Sequence, residues 1–218
     1  MSAPRRVLVI NPNSNQEVTR GISEALQPLR IAGGPEIECL TLAEGPFGVE
    51  TEEDVEQISL PLQRMVVSRS DADAFVIACY SDPGLQICRA ATAKPVFGIQ
   101  ESGILAALTR GDRVGVIALG PQSVARHRRY LRRLGLLERL AGERPLNLSV
   151  ADSERPEAID RVVEVGAALR DTDGADVLVL GCAGMARHRR GLEATLCLPV
   201  IDPTQAATAE ALGAVLLA

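Results

Sequence analysis

Cys79 and Cys182 each close a short apolar run, Asp73-Ala74-Phe75-Val76-Ile77-Ala78-Cys79 and Ala175-Asp176-Val177-Leu178-Val179-Leu180-Gly181-Cys182. Turn-forming or small residues follow each, Tyr80-Ser81-Asp82-Pro83-Gly84 after the first and Ala183-Gly184-Met185 after the second. Such a run reads as a buried strand, and a thiol at its carboxyl end faces the loop where open parallel α/β sheets bind their ligands. Backbone N–H groups and a positive helix end there favour thiolate, which is expected to bring the pKa from about 8.5 toward neutrality. If two such thiols flank one substrate, one can remove a proton from a carbon beside a carbonyl while the other returns a proton to the opposite face. The developing enolate needs donors, each worth about 2.7 to 4 kcal/mol. The loop Cys182-Ala183-Gly184-Met185 is suited to supply them through its backbone, and Asn13 and Ser14 through their side chains.

The remaining candidates carry weaker chemistry. Cys39, Cys88 and Cys197 have no matching copy and read as core or surface thiols; Cys88 falls in a predicted helix. Five cysteines without a closely spaced pair fit neither a disulfide framework nor a zinc site. The repeated segments Ala125-Arg126-His127-Arg128-Arg129 and Ala186-Arg187-His188-Arg189-Arg190 read as solvated helix faces, which disfavours a histidine-based mechanism. No dinucleotide or nucleoside triphosphate fingerprint follows a strand, and no cofactor is indicated.

The elements that would position the thiols repeat. Arg6-Val7-Leu8-Val9-Ile10 reads as a strand running into Asn11-Pro12-Asn13-Ser14-Asn15, and Arg113-Val114-Gly115-Val116-Ile117 runs likewise toward Leu119-Gly120-Pro121. Asp82 is placed to cap a helix beginning at Pro83. Pro95-Val96-Phe97 follows Cys79 as Pro199-Val200-Ile201 follows Cys182, with one gap between the copies. A further strand is expected over Leu146 to Val150. Short apolar runs alternating with helix-length segments imply parallel sheets. The expected fold is therefore α/β, a duplicated lobe with its crossover near Glu101 to Asp112.

Composition narrows the class of protein. Hydrophobic residues make up 46% of the 218, but aromatics only 2% with no Trp, so aliphatic side chains must fill the core. A net charge of -5 offers no field for a polyanion, so a small-molecule substrate is expected and nucleic acid is not. Behind Arg5 and Arg6, the run Val7 to Ile10 is far shorter than a signal-peptide core or a membrane span, and a cytoplasmic protein with no membrane partner is expected.

Asn11-Pro12-Asn13-Ser14, Ala78-Cys79-Tyr80-Ser81-Asp82-Pro83-Gly84-Leu85 and Leu180-Gly181-Cys182-Ala183-Gly184-Met185 together resemble the aspartate/glutamate/hydantoin racemase superfamily, and its hydantoin and allantoin racemase branch most closely. The likeness spans nearly the whole chain. It implies two pseudo-symmetric lobes, each a short parallel sheet flanked by helices, with the active site in the cleft between them. The N-terminal lobe would hold residues 1–98 and 205–218, and the C-terminal lobe residues 99–204. The resemblance also implies a two-thiol acid/base mechanism on Cys79 and Cys182, no cofactor, and a homo-oligomer. Substrate contacts are then expected from Asn11, Pro12, Asn13, Ser14, Tyr80, Ser81, Leu119, Gly120, Ala183, Gly184 and Met185. Phe47, in Gly45-Pro46-Phe47-Gly48, resembles a segment near the pocket in relatives.

Amino-acid racemases of this superfamily usually carry a carboxylate in the first loop and Thr-His after the second Cys, where this chain has Asn11 to Asn15 and Ala183-Gly184. A neutral cyclic ureide, a 5-substituted hydantoin or allantoin, fits those loops better than a zwitterion. Hydantoin racemases often have Phe and an acidic residue after the first Cys; Tyr80 and Ser81 stand there in this chain. Arylmalonate decarboxylases, also similar, keep only the second thiol, so Cys79 favours the two-base reaction. A maleate-type cis-trans isomerase, an aspartate or glutamate racemase, and a non-catalytic two-lobed binding protein are the alternatives. The first of them would need cationic pocket groups that the motif loops lack.

Overall fold

The structure is a computed structural model describing residues 5–218. Its first half runs β1 (Arg6–Asn11), α1 (Gln16–Ala25), β2 (Glu36–Thr41), α2 (Glu52–Ser68), β3 (Ala74–Ile77), α3 (Leu85–Ala91), β4 (Val96–Gly98) and α4 (Ile99–Ala107). The second half repeats the grammar with β5 (Val114–Ala118), α5 (Pro121–Arg133), β6 (Leu140–Pro145), α6 (Val150–Ser153), α7 (Ile159–Asp171), β7 (Val177–Leu180), α8 (Arg189–Leu196), β8 (Val200–Ile201) and α9 (Pro203–Leu217). A 3-10 segment, Ala183–His188, lies between β7 and α8.

Two four-stranded sheets form, ordered β2-β1-β3-β4 and β6-β5-β7-β8, and every pairing is parallel. The duplication extends to individual hydrogen bonds. Asp73 Oδ2 accepts from Arg6 N at 2.7 Å and Asp176 Oδ1 from Arg113 N at 2.9 Å, so the acidic residue before each central strand ties it to its neighbour. Phe75 N donates to Pro95 O at 3.0 Å, as Leu178 N does to Pro199 O at 2.9 Å. At the other end, Ala78 N reaches Ile10 O and Gly181 N reaches Ile117 O, both at 2.8 Å. Those last two bonds bring Cys79 and Cys182 to equivalent strand ends.

Aliphatic residues fill the core as the composition requires. Leu8, Ile10, Phe75 and Ile77 point from one face of the first sheet toward Val55, Ile58, Leu62 and Val66 of α2, while Val7, Val9 and Val76 point to the other. That second face shares one cluster with the core of the second sheet. The helices that end the two halves exchange sheets: α9 packs on β1, β3 and β4, α4 packs on β7 and β8, and the two helices pack together. Gly103 permits that contact, since a Cβ there would lie 2.7 Å from Pro203 Cβ. None of the helices among the described residues is long and apolar enough to cross a membrane.

Two local expectations are corrected, and one strand is added. Leu146 to Val150 is not a strand; the edge strand is β6, which ends at Pro145, and Val150 opens α6. The run of short polar and apolar residues over Glu36–Thr41 forms β2 although two of its residues are Glu, because an edge strand can leave side chains in water. Asp82 does not cap the helix beside it. That helix starts at Leu85 behind Gly84 in a left-handed conformation (φ 63°), and Asp82 turns its carboxylate onto Gln100 N and Glu101 N of α4, both at 2.9 Å. Asp202 caps α9 through Thr204 N and Gln205 N.

Two predictions follow from these contacts. Gly181→Ala would set a Cβ 2.5 Å from Ile117 O and 3.2 Å from Ala118 Cα, both backbone atoms that cannot swing aside. It should cost about 1 to 3 kcal/mol of stability by urea unfolding; an unchanged midpoint would refute the close approach. Burial raises the carboxyls of Asp82 to about 7 and Asp202 to about 6, above the unfolded value, against hydrogen bonds that favour the anion. The native state therefore holds protons that the unfolded chain releases, so these groups make stability fall as pH rises from about 4 to about 7. Asp82→Asn should flatten that decline, measured by denaturation across the same range.

Candidate functional site

Cys79 and Cys182 line a single cavity between the two sheets' carboxyl ends. Its other walls are Asn13, Val18, Val49, Ala78, Tyr80, Ser81, Leu119, Ser123, Arg126, His127, Val150, Gly181 and Ala183, so both halves of the chain contribute. Of the expected contacts, Asn13, Tyr80, Ser81, Leu119 and Ala183 are here. The others are not. Asn11 is buried beneath, its Nδ2 holding Asn13 Oδ1 at 2.9 Å, Asn15 O at 3.1 Å and Thr19 Oγ1 at 3.0 Å, a bracket that shapes the first loop. Pro12 and Ser14 face the next loop instead: Ser14 N donates to Pro46 O at 2.8 Å. Gly120 precedes α5 without lining the cavity, and Met185 is fully buried below it. Phe47 is 66% exposed and, with Gly184, borders a separate groove of about 680 Å³ on the outer side of Ala183–His188 that contains neither thiol.

The Ser81 amide and hydroxyl act on the Cys79 sulfur, and the Gly184 amide and the Ser153 side chain on that of Cys182, each in the direction that favours thiolate. The expected fall in pKa does not result. Burial is the larger effect and pushes the Cys79 thiol up to about 11 and the Cys182 thiol up to about 12. In a dry cavity the thiolate loses more hydration than a few N–H groups return. The backbone donors expected after Cys182 are also largely committed, Gly184 N to the sulfur and Met185 N to Cys182 O at 3.2 Å.

The first Arg-His segment is not a solvated face. Ser123, Arg126, His127 and Leu131 are the buried residues of α5, and their spacing puts them on one side of the helix. His127 Nδ1 is 2.5 Å from Glu143 Oε1 of β6, its Nε2 is 3.5 Å from Ser81 Oγ, and its ring meets Tyr80 edge-on at 4.9 Å. Arg126 Nε donates to Ser81 Oγ at 2.9 Å. Arg126 thus brings to the cavity the cation that the motif loops lack. The spacing Ser123, Arg126, His127, Leu131 was the available signal, but with one apolar member it did not register as a buried face. The second copy is also partly inside: His188 is buried with Nε2 3.0 Å from Ser153 O.

Two polar atoms of the cavity-lining residues, Tyr80 Oη and Arg126 Nη1, are buried with no hydrogen-bond partner among the described residues. Unpaired buried donors are costly and mark places where a ligand or water belongs. The cavity measures only about 30 Å³, whereas ligand sites generally span about 300 to 1,000 Å³. The halves are therefore closed on each other. Closure is held by Val150 N donating to Glu50 Oε1 at 2.9 Å, and by Glu52 with Arg129 at 2.7 Å and with Arg126 at 3.6 Å. Among the described residues, His, Cys, Asp and Glu nowhere gather in a group of three that could hold a metal.

Comparison with known proteins agrees with this architecture. The family profile of Asp/Glu/Hydantoin racemase matches residues 7–211. The hydantoin racemase of Paenarthrobacter aurescens is 32% identical over 93% of this chain and 87% of its own length. That of Pseudomonas sp. (strain NS671) is 34% identical over 90% and 80%. The solved allantoin racemase from Klebsiella pneumoniae superposes with a TM-score of 0.92 at 27% identity, covering 98% of this chain and 88% of that one. With paired sheets, a thiol at the end of each central strand and a family match across nearly its whole length, the chain belongs to the Asp/Glu/hydantoin racemase family of isomerases.

Proposed function

We propose that this protein is a two-thiol racemase of a cyclic ureide, a 5-substituted hydantoin or allantoin, working without a cofactor. The observation that carries the reading is the cavity itself: Cys79 and Cys182 line it from equivalent ends of duplicated strands, beside the buried Tyr80 hydroxyl and the Arg126 guanidinium, neither Tyr80 Oη nor Arg126 Nη1 making a hydrogen bond among the described residues. The relatives named hydantoin racemase and allantoin racemase support the substrate class.

In this mechanism one sulfur, as thiolate, takes the proton from the ring carbon beside the carbonyl, and the C–H electron pair moves into an enolate. Arg126 Nη1 and Tyr80 Oη supply hydrogen bonds to the oxygen where charge collects, and the cationic Arg126 offsets that charge in the buried site. The opposite sulfur, as thiol, delivers its proton to the other face and is left as thiolate. Each turnover therefore exchanges the roles of the two sulfurs and consumes nothing. His127, held by Glu143, packs against Tyr80 and approaches Ser81, and so orients the wall beside Cys79. The ring fits only if the lobes part, and the Glu50 and Glu52 contacts are the ones to break. The division at residues 1–98 with 205–218 against 99–204 belongs to this reading, supported by the packing of α9 on β1, β3 and β4. A cytoplasmic homo-oligomer completes it.

Arg126 gives the maleate-type alternative the cation it needs, but that reaction requires covalent attack on carbon by one sulfur. A sulfur–carbon adduct detected by mass spectrometry after incubation with maleate would favour it. For the proposed reaction, a single enantiomer of a 5-substituted hydantoin or of allantoin should lose optical rotation faster than its spontaneous rate. Cys79→Ser and Cys182→Ser should each lower that rate by about 10² to 10⁴-fold or more. Wild-type rates in either variant would refute the assignment.

A further inference from the structure

The duplicated backbone makes Cys79 and Cys182 geometrically alike, but their charged surroundings differ. On the Cys79 side, Ser81 contacts the sulfur and receives Arg126 Nε at 2.9 Å, so the guanidinium stands one residue behind the thiol. Arg126 is only 8% exposed; the exposed Glu52 carboxylate lies 3.6 Å from it, and Asp54 also acts on it at longer range. Asp82 is the opposing anion near Cys79, and two α4 amides hold its carboxyl. His127 also lines this wall and is paired with Glu143.

Among the described residues no cation acts on the Cys182 sulfur as Arg126 does on that of Cys79; Arg187 and Arg20 act on Glu154 instead. Glu154, which follows the Ser153 that contacts the sulfur, packs against the loop so tightly that a Cβ on Gly184 would lie 2.8 Å from its Oε1. That oxygen is buried with no hydrogen-bond partner among the described residues. Arg187 bonds the carbonyl oxygen of Glu154, at 2.7 Å, rather than its carboxyl. Glu17 and Arg20 of α1 act on Glu154 with opposite signs, and His188 is turned to Ser153 O. Burial raises the Glu154 carboxyl to about 7, still below both thiols, so it is already an anion behind Cys182 when they ionise.

We infer that Arg126 and Glu154 make the two thiols unequal, so that Cys79 ionises before Cys182 and is the base of the resting enzyme, with Cys182 its acid. The inference rests on the two-thiol reading and adds to it the direction in which the enzyme is poised. The substrate enantiomer whose ring hydrogen faces Cys79 meets a site already in the correct protonation state. The other enantiomer must wait for the proton to change sides. Arg126 and Glu154 act here as positioning residues, through the sulfurs.

The test titrates thiolate by its ultraviolet absorbance, without substrate. The difference between Cys182→Ser and the Cys79→Ser/Cys182→Ser double variant isolates Cys79, and the reciprocal difference isolates Cys182. The midpoint for Cys79 should be the lower, a result read without altering either positioning residue. Adding Arg126→Gln should raise the Cys79 midpoint by about one pH unit, a tenfold loss of thiolate at fixed pH, and leave Cys182 in place. Arg126→Lys should restore most of the shift, and Glu154→Gln should lower the Cys182 midpoint alone. Equal or reversed midpoints, or substitutions that move neither thiol, would overturn the inference. Unequal midpoints without racemisation would instead sink the proposed reaction and leave the thiol asymmetry standing.

Discussion

Two backbone hydrogen bonds, Ala78 N to Ile10 O and Gly181 N to Ile117 O, both 2.8 Å, fix where everything else in the site must be. They set the last rung between the two central strands in each sheet, so the residue after each donor leaves the sheet at the same height. In both halves that residue is Cys. The first strand position also repeats, since Asp73 and Asp176 each hold the amide of the arginine that begins the neighbouring strand. With both ends of the register pinned, a one-residue slip of the first sheet's central strand would exchange the side chains that pack on α2 with those that enter the core shared with the second sheet. The geometry of the thiols is thus an outcome of strand pairing, which is stronger and more cooperative than any loop contact.

Burial has two effects in this cleft. It makes thiolate costly, raising Cys79 to about 11 and Cys182 to about 12, and it strengthens every charge that remains inside. A cation such as Arg126 beside one sulfur and a carboxylate such as Glu154 behind the other then count for far more than they would in water. The symmetry of the backbone and the asymmetry of its lining are separable features. Duplication supplies two thiols at matched height, and in the proposed mechanism unmatched residues from α5 and the Ser153-Glu154 segment decide which of them loses its proton first. The Glu50 and Glu52 contacts across the cleft hold the closure that creates this environment.

Much of this was legible in the chain because the relevant signals were local. Apolar runs ending in Cys, the Asp before each run and the Pro after it marked the central strands, their duplication and the place of a thiol at the end of each. What escaped had its cause elsewhere in space. β2 carries Glu36 and Glu38 outward, so its run was not apolar enough to register, and β6 has only edge-strand character. Asp82 looked like a local cap but serves α4, because Gly84 in a left-handed turn takes the chain away from it. Arg126 and His127 looked solvated because a charged helix usually is; here the cavity wall needs polar groups, and Glu143, on a strand not anticipated, meets the imidazole. The direction of the thiol pKa shift is not legible in the chain, because donors are countable from sequence whereas desolvation depends on how tightly the lobes close.

The central claim is that two different groups handle the proton on the two faces of one carbon. The most direct measurement is deuterium incorporation when the wild-type enzyme acts on one enantiomer of a 5-substituted hydantoin in D₂O, sampled in the first few per cent of conversion. Two opposed thiols predict deuterium in the newly formed enantiomer while the recovered starting enantiomer stays protiated. Deuterium appearing equally in both would mean that a single group serves both faces, and would contradict the account.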